Sequence, residues 1–306
     1  MTTESPAPQP TIAVFTKNRL NPAYAAARLG ASRTAARFGA RTVDYVPEHP
    51  DNVEEQIALL DQAIRDRPDV LVLVPVHETA VDEAVRRVRD AGIPVVNCLN
   101  RLGDPDDYVC FVGSDDTQLA AEVAERLFAA LGGHGNVVII EGTPGAATAR
   151  DRQRGFIEAA SRHPGIRMLE SRTGNYLHDD GHDAMRALLS EHASIDGVLA
   201  ANDSMALGAI EALQEAGRAA LVVGANAIPD AIDALKAGTL LASADFDAHK
   251  IACIAAEAAA RVLRGESVPK QIMLPVEIVD ATNYERWDRP IEERDRPTWE
   301  AVVAAQ

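Results

Sequence analysis

The feature that most constrains this chain is the regular alternation of short apolar runs with longer amphipathic ones. The stretch Val198–Leu199–Ala200–Ala201–Asn202–Asp203–Ser204–Met205–Ala206–Leu207–Gly208–Ala209–Ile210 shows the unit. Four apolar residues read as a strand covered on both faces. Asn202, Asp203 and Ser204 supply capping side chains, and Met205, Leu207 and Ile210 start an apolar helical stripe. Strands are expected at Thr11–Phe15, Ala40–Val46, Asp69–Val74, Ile93–Cys98 and Tyr108–Val112, with helices at Pro22–Phe38, Asn52–Arg65 and Thr79–Ala91 between them. A second series follows. Its strands are Asn136–Ile140, Ile166–Thr173, Val198–Ala201, Ala220–Val223 and Leu240–Ala244. Its helices are Asp116–Leu131, Thr148–Arg162, Asp180–His192 and Pro229–Lys236. The helix Ala248–Leu263 and one extended segment, Met273–Val279, complete the chain. Such alternation predicts parallel sheets with helices on both faces. Two series within 306 residues predict two similar lobes.

Composition narrows the function classes. With 47% hydrophobic and 25% charged residues the chain is expected to bury real cores. A net charge of −16 argues against nucleic acid or an anionic membrane as the main partner. Met1–Pro10 is polar and Pro-rich, without the basic and apolar regions of a secretory signal, and is expected to be a disordered leader. Cys98, Cys110 and Cys253 are odd in number and sit in apolar contexts, so they are read as buried thiols. The charged Asp288–Trp299 segment reads as an extended surface stretch pinned by Trp287 and Trp299.

In open α/β sheets ligands gather beyond the carboxyl ends of strands, so chemistry is sought at the strand-to-helix junctions. The first holds Asn18, Asn21 and Tyr24, and Asn21 is also placed to cap a helix beginning at Pro22. The fourth holds Asn100 and Arg101, whose guanidinium fork suits hydroxyls or carboxylates. Gly142–Thr143–Pro144–Gly145 lacks the Lys-Ser/Thr of a phosphate loop, and Arg150 and Arg154 share one face of the helix that follows. Tyr176 ends another strand, as core packing or as an apolar platform for a ligand. Asn226, then Asp245, Phe246 and Asp247, close the series. His178 and His182 have the i, i+4 spacing of metal ligands but read as a solvated helix start, because the Glu of H-E-x-x-H is missing. No nucleophile elbow or spaced Cys/His cluster appears, so the sequence gives catalysis no positive support, and no cofactor or metal is expected.

These junctions resemble the type I periplasmic sugar-binding proteins of the ribose-binding kind. The resemblance runs from about Thr11 to Asp280. It is carried by Asn202-Asp203-x-Met205-Ala206-Leu207-Gly208, by Gly145-x-x-x-Ala149-Arg150-x-Arg152-x-x-Gly155-Phe156, by Gly92-Ile93-Pro94-Val95-Val96 and by Val222-Val223-Gly224. It implies two Rossmann-like α/β lobes with parallel sheets, joined by three hinge crossings near Val112–Ser114, Ala244–Asp247 and Leu274–Val276. The lobes are then residues 11–113 with 247–275, and 114–246 with 276–306. It implies a monomeric solute-binding protein that captures a sugar, polyol or sugar acid between the lobes, catalyses nothing, and delivers its ligand to the membrane subunits of an ABC permease in the periplasm. The family's ligand contacts fall on Asn21, Tyr24, Asn100, Arg101, Arg150, Tyr176, Asn202, Asn226 and, within a residue, Phe246.

The chain departs from the pattern at Asn100 and Asn226, where the family usually has Asp, and at Ala23, where it often has an aromatic residue. Two arginines without those acids suggest a ligand that brings its own negative charge, unless Asp245 turns inward. A stand-alone sugar sensor of the same fold, in the cytoplasm for want of a visible signal, is the alternative. An α/β enzyme, which would show turnover, is the third reading. A repressor of the LacI type would need a DNA-binding head before Thr11 and a basic surface.

Overall fold

A computed structural model describes residues 9–294 and 296–304. Most of the expected leader lies outside them, though Pro10 is already tied in, its carbonyl accepting the Arg41 N–H at 2.9 Å.

The alternation translates into alternating elements. In chain order these are β1 (Thr11–Phe15), α1 (Pro22–Arg37), β2 (Arg41–Tyr45), α2 (Val53–Asp66), β3 (Val70–Leu73), α3 (Asp82–Asp90), β4 (Val95–Cys98) and β5 (Cys110–Gly113). Then come α4 (Asp116–Ala130), β6 (His134–Glu141), α5 (Ala147–Ser161), β7 (Gly165–Thr173), α6 (His178–Glu191), β8 (Gly197–Ala200), α7 (Asp203–Glu215), β9 (Leu221–Ala225), α8 (Pro229–Ala237) and β10 (Ala242–Asp245). The chain ends with α9 (Ala248–Leu263), β11 (Gln271–Met273), β12 (Glu277–Asp280) and α10 (Trp299–Val303).

The strands form two six-stranded sheets with the same order pattern: β11-β5-β4-β3-β1-β2 and β12-β10-β9-β8-β6-β7. Pairing along the first five strands of each series is parallel, and β12 runs antiparallel to β10. The segment expected as one extended run, Met273–Val279, is in fact two short strands in different sheets. Pro275 lies between them, where a missing N–H would break a continuous ladder.

The chain divides into two compact units. Unit 1 contains the described residues 9–113, 248–272 and 296–304; unit 2 contains 114–247 and 273–294. The sequence reading grouped all of 276–306 with the second lobe, but residues 296–304 pack in unit 1. The reason is local: Trp299 is buried, with the Arg261 guanidinium of α9 4.6 Å from its ring centre.

Each core is a sheet covered by helices. In unit 1 the central strands β1 and β3 are almost wholly buried, and the sheet is covered by α1 and α9, among others. Gly30 of α1 permits the close approach of these two helices, since a Cβ there would lie 2.6 Å from the His249 carbonyl oxygen. In unit 2 α4 and α7 bury Leu119, Val123, Leu127, Met205 and Ile210. Burying each such side chain contributes roughly 1.5–3 kcal/mol before chain entropy is counted. The three cysteines are buried thiols, and the Cys253 thiol donates to the Gly30 carbonyl at 3.5 Å.

Candidate functional site

Backbone strain marks one edge of each sheet. Eight non-glycine residues among those described have positive φ. Six of them, Leu99, Asn175, Tyr176, Asn226, Ala227 and Asp247, lie within three residues of the carboxyl end of a strand. Non-glycine residues in this region cost on the order of 1 kcal/mol each, and such strain persists only where surrounding bonds enforce it.

In unit 1 the enforcing groups are mostly amides, joined by a buried Lys17–Asp51 pair at 3.6 Å. Asn18 Oδ1 accepts the N–H groups of Leu20 and Asn21 at 3.2 and 2.9 Å. Asn21 is the N-cap of α1, its Oδ1 accepting the Ala23 N–H at 2.9 Å, and Pro22 occupies the first helical position. Tyr24 stands half-buried one turn further on. At the end of β4, buried Asn97 staples the following turn: Nδ2 donates to the carbonyls of Leu73 and Asn100 at 3.2 and 2.7 Å, and Oδ1 accepts the Leu102 N–H at 3.0 Å. That staple holds Leu99 at φ 61° and buries Asn100. The Arg101 guanidinium lies 3.9 Å from the centre of the Phe111 ring. Gly113 makes room for that ring, because a Cβ there would sit 2.4 Å from it.

Unit 2 uses charge. Arg152 of α5 is 4% exposed; its Nε donates to Asp116 Oδ1 at 2.7 Å and its Nη1 to the Ala201 carbonyl at 2.5 Å. Burial raises the Asp116 pKa, and Arg152 opposes the rise. Phe246 is buried, with Arg152 5.3 Å from its ring centre. Asn202 caps α7 through Oδ1, which accepts the Met205 N–H at 2.9 Å, while Nδ2 donates to the Tyr176 carbonyl at 3.0 Å. The Tyr176 hydroxyl lies 3.0 Å from Thr148 Oγ1, and its ring covers Gly142, where a Cβ would be 2.1 Å away.

Asn226 follows β9 at φ 115°. The loop is fixed by Asp203, which accepts the Ser243 hydroxyl at 2.7 Å and the Ile228 N–H at 3.0 Å, while Ser243 accepts the Ala227 N–H. Burial pushes the Asp203 carboxyl up to about 6. Asn226 Oδ1 is left buried with no hydrogen-bond partner among the described residues. An unsatisfied buried acceptor costs roughly 1–3 kcal/mol, so this oxygen is poised for a donor.

The candidates therefore divide by unit. Asn21, Tyr24, Asn100 and Arg101 stand at strand ends in unit 1. Tyr176, Asn202, Asn226 and Phe246 do so in unit 2, with Arg150 in the first turn of α5. Arg150 differs from the rest in being exposed, 3.1 Å from Asp151. Arg152, Asn97, Phe111 and Thr148 were not singled out from the sequence, although Arg152 occurs in a quoted motif. A signal existed for Arg152: with Ala149, Phe156 and Ala159 it shares the inward face of α5.

The sequence left open whether Asp245 turns inward. It is buried, but its oxygens accept the Trp287 indole N–H at 2.6 Å and the Asp247 N–H at 2.7 Å. His178 and His182 face acids on α7, at 3.4 Å from Glu211 and 3.1 Å from Glu215. Among the described residues, the ligand atoms of Glu170, Glu191 and His192 lie near one another; Arg172 pairs with both glutamates, and His192 Nε2 lies 2.9 Å from Glu170.

Comparison with known proteins fits this frame. The sequence profile described as a periplasmic binding protein domain matches residues 12–267. The chain belongs to the periplasmic binding protein family. The ribose import binding protein RbsB of Salmonella typhimurium is 33% identical over 270 residues, 88% of this chain and 89% of that protein. The D-ribose/D-allose-binding protein of Pseudomonas aeruginosa is 35% identical over 262 residues, 78% of this chain and 82% of that one. Among solved structures, an ABC transporter solute-binding protein from Mycobacterium smegmatis with bound glycerol is 30% identical, covers 91% of this chain and 96% of its own, and has a TM-score of 0.85. A Bacillus halodurans counterpart with bound myo-inositol is 28% identical, covers 94% and 99%, and has a TM-score of 0.86. The type I periplasmic sugar-binding relationship and the two α/β lobes expected from the sequence therefore hold.

Proposed function

We propose that this chain is the solute-binding protein of an ABC importer and that it captures one small neutral carbohydrate, a sugar or a polyol. Relatives named for ribose, allose, xylitol and apiose support the carbohydrate class. The observation that carries the reading is the gathering of polar side chains at the carboxyl ends of the strands in each sheet, with backbone strain concentrated in unit 2 and the Asn226 oxygen lacking a donor among the described residues. Hydroxyl groups donate and accept at once, and a set of amides, a phenol and guanidinium groups answers both roles. Asn21, Tyr24, Asn100 and Arg101 would supply one unit's contacts, and Arg150, Tyr176, Asn202, Asn226 and Phe246 the other's.

Charge supports a neutral ligand over a sugar acid. The α5 arginines already have carboxylates: Arg150 has Asp151, which Arg154 shares, and Arg152 has Asp116. The shortage of acids that suggested an anionic ligand concerned Arg101 and Arg150: in unit 2 Asp151 makes it up for Arg150, and in unit 1 the Arg101 guanidinium rests on the Phe111 ring. The chain passes between units after residues 113, 247 and 272, which supports hinges near Val112–Ser114, Ala244–Asp247 and Leu274–Val276, and it passes a fourth time, not expected from the sequence, before residue 296. Closure driven by the ligand requires only that it bind the closed form more tightly. The protein works as a monomer in the periplasm, hands its ligand to permease subunits, and turns nothing over.

A thermal-shift screen of pentoses, hexoses, polyols and matched aldonates tests the reading. A neutral compound should raise the melting temperature in proportion to the logarithm of its excess over Kd. A larger shift with the matched aldonate would contradict it.

A further inference from the structure

The end of β10 is held by a residue from far along the chain. Asp245 is 5% exposed. Its Oδ2 accepts the Trp287 indole N–H at 2.6 Å, and its Oδ1 accepts the Asp247 N–H at 2.7 Å. Asp247 has φ 53°, a conformation the second bond enforces, and Phe246 lies between the two aspartates. Trp287 is itself buried and anchored: its N–H donates to the Tyr284 carbonyl at 2.8 Å, and its carbonyl accepts Arg294 Nη2 at 2.7 Å. The family profile stops at residue 267, so Trp287 lies outside the matched region.

We propose that Trp287 is a positioning residue for the ligand: through Asp245 it fixes the 245–247 turn and thereby the placement of the Phe246 ring beside Arg152. The role rests on the function proposed above, since Phe246 matters only if that strand end meets a ligand. The indole contributes a bond as well as bulk, because one carboxylate divides its two oxygens between Trp287 and Asp247. An anionic Asp245 accepts both N–H groups. A protonated one turns an acceptor into a donor and releases the turn from one of its two holds. Burial, then the charge of Asp247, pushes the Asp245 carboxyl up to about 7, so this change falls in an accessible range.

Among the described residues, the charged groups around Asp245 can be named. Asp247 adjoins it in sequence, and Arg294 approaches from the C-terminal segment. Glu277 stands opposite in the β12 ladder, paired with Arg286 at 2.7 Å; Arg286 itself lies 4.6 Å from the Trp287 ring centre. The buried face of α4, which packs on β10, is apolar, and Asp116 in its first turn is tied to Arg152.

Two measurements test the role. In Trp299→Phe protein, where Trp287 is the sole tryptophan, emission should titrate with a midpoint near 7, and Asp245→Asn should abolish the transition. Calorimetry with a neutral carbohydrate from the screen should show wild-type affinity rising between about pH 5.5 and 8. Trp287→Phe, which keeps a ring but loses the donor, should bind about five- to tenfold more weakly and lose that rise, as expected for one net hydrogen bond. Asp245→Asn should likewise flatten the profile while keeping the volume. An emission titration that is flat, or a Trp287→Phe affinity profile that overlays wild type, overturns the role. Emission that titrates in a protein binding none of the carbohydrates would instead overturn the proposed function, and the positioning role with it.

Discussion

Units 1 and 2 share a strand order but not a way of holding their strand ends. In unit 1 neutral amides do most of it: Asn18 and Asn97 each close a turn, and Gln56 bridges the Val74 carbonyl and the Val76 N–H, while one buried ion pair, Lys17 with Asp51 at 3.6 Å, stands beside Asn18 after β1. In unit 2 buried carboxylates do it: Asp116 with Arg152, Asp203 with Ser243, and Asp245 with Trp287. One device is common to both, a glycine lying under an aromatic ring: Gly113 under Phe111 and Gly142 under Tyr176. The difference teaches that one architecture can stiffen its strand ends mainly with amides or mainly with carboxylates. Charge gives stronger bonds, but it costs desolvation and makes that unit sensitive to pH.

The sharpest way to break the comparison is Arg152→Met. It leaves Asp116 buried without its cation and should destabilise unit 2 by about 3–5 kcal/mol, read as lost hydrogen-exchange protection in unit 2 with unit 1 unchanged. Arg150→Ala separates binding from stability. Arg150 is exposed, so protection should hold, while carbohydrate affinity should fall by about 2–4 kcal/mol if the ligand takes charged hydrogen bonds from it. Asn97→Ala is the matching lesion in unit 1. It strips two carbonyls and an N–H of their partner and should cost about 1–3 kcal/mol, confined to unit 1.

A pH series sharpens the contrast further. Asp203 and Asp245 have folded-state pKa values of about 6 and about 7, above their ordinary range. The fold therefore favours their protonated forms. The stability they contribute is fully present below about pH 4 and is lost as pH rises through 6 and then 7. Asp245→Asn should remove the upper part of that decline in urea melts. The smallest effect is expected from Tyr176→Phe, where loss of the hydroxyl contact with Thr148 should cost about 0.5–1.5 kcal/mol.

The architecture was legible because it is written in local period: apolar runs of four to five residues, helical stripes, and caps such as Asn21 and Asn202. The strand-end positions were legible for the same reason. Less legible was what each polar group does once there. Asn202 spends both ends of its amide on Met205 and Tyr176, a pairing that no spacing reveals. Arg150 attracted attention as the arginine nearest the glycine-rich turn, whereas Arg152, two residues on, points inward. The Asp245–Trp287 bond spans 42 residues and leaves no local trace in the sequence. The start of α3 moved from Thr79 to Asp82, since the residues between form a turn with the Asp82 N–H donating to the Thr79 carbonyl.

We propose that strand ends from both units serve one neutral carbohydrate. Titration calorimetry on wild type, Arg101→Ala and Asn226→Ala with the same neutral compound tests it most directly. A single site per chain, weakened by a lesion in either unit, is the expected result. An affinity untouched by one of the two variants, or tighter binding of the matched aldonate, would contradict it.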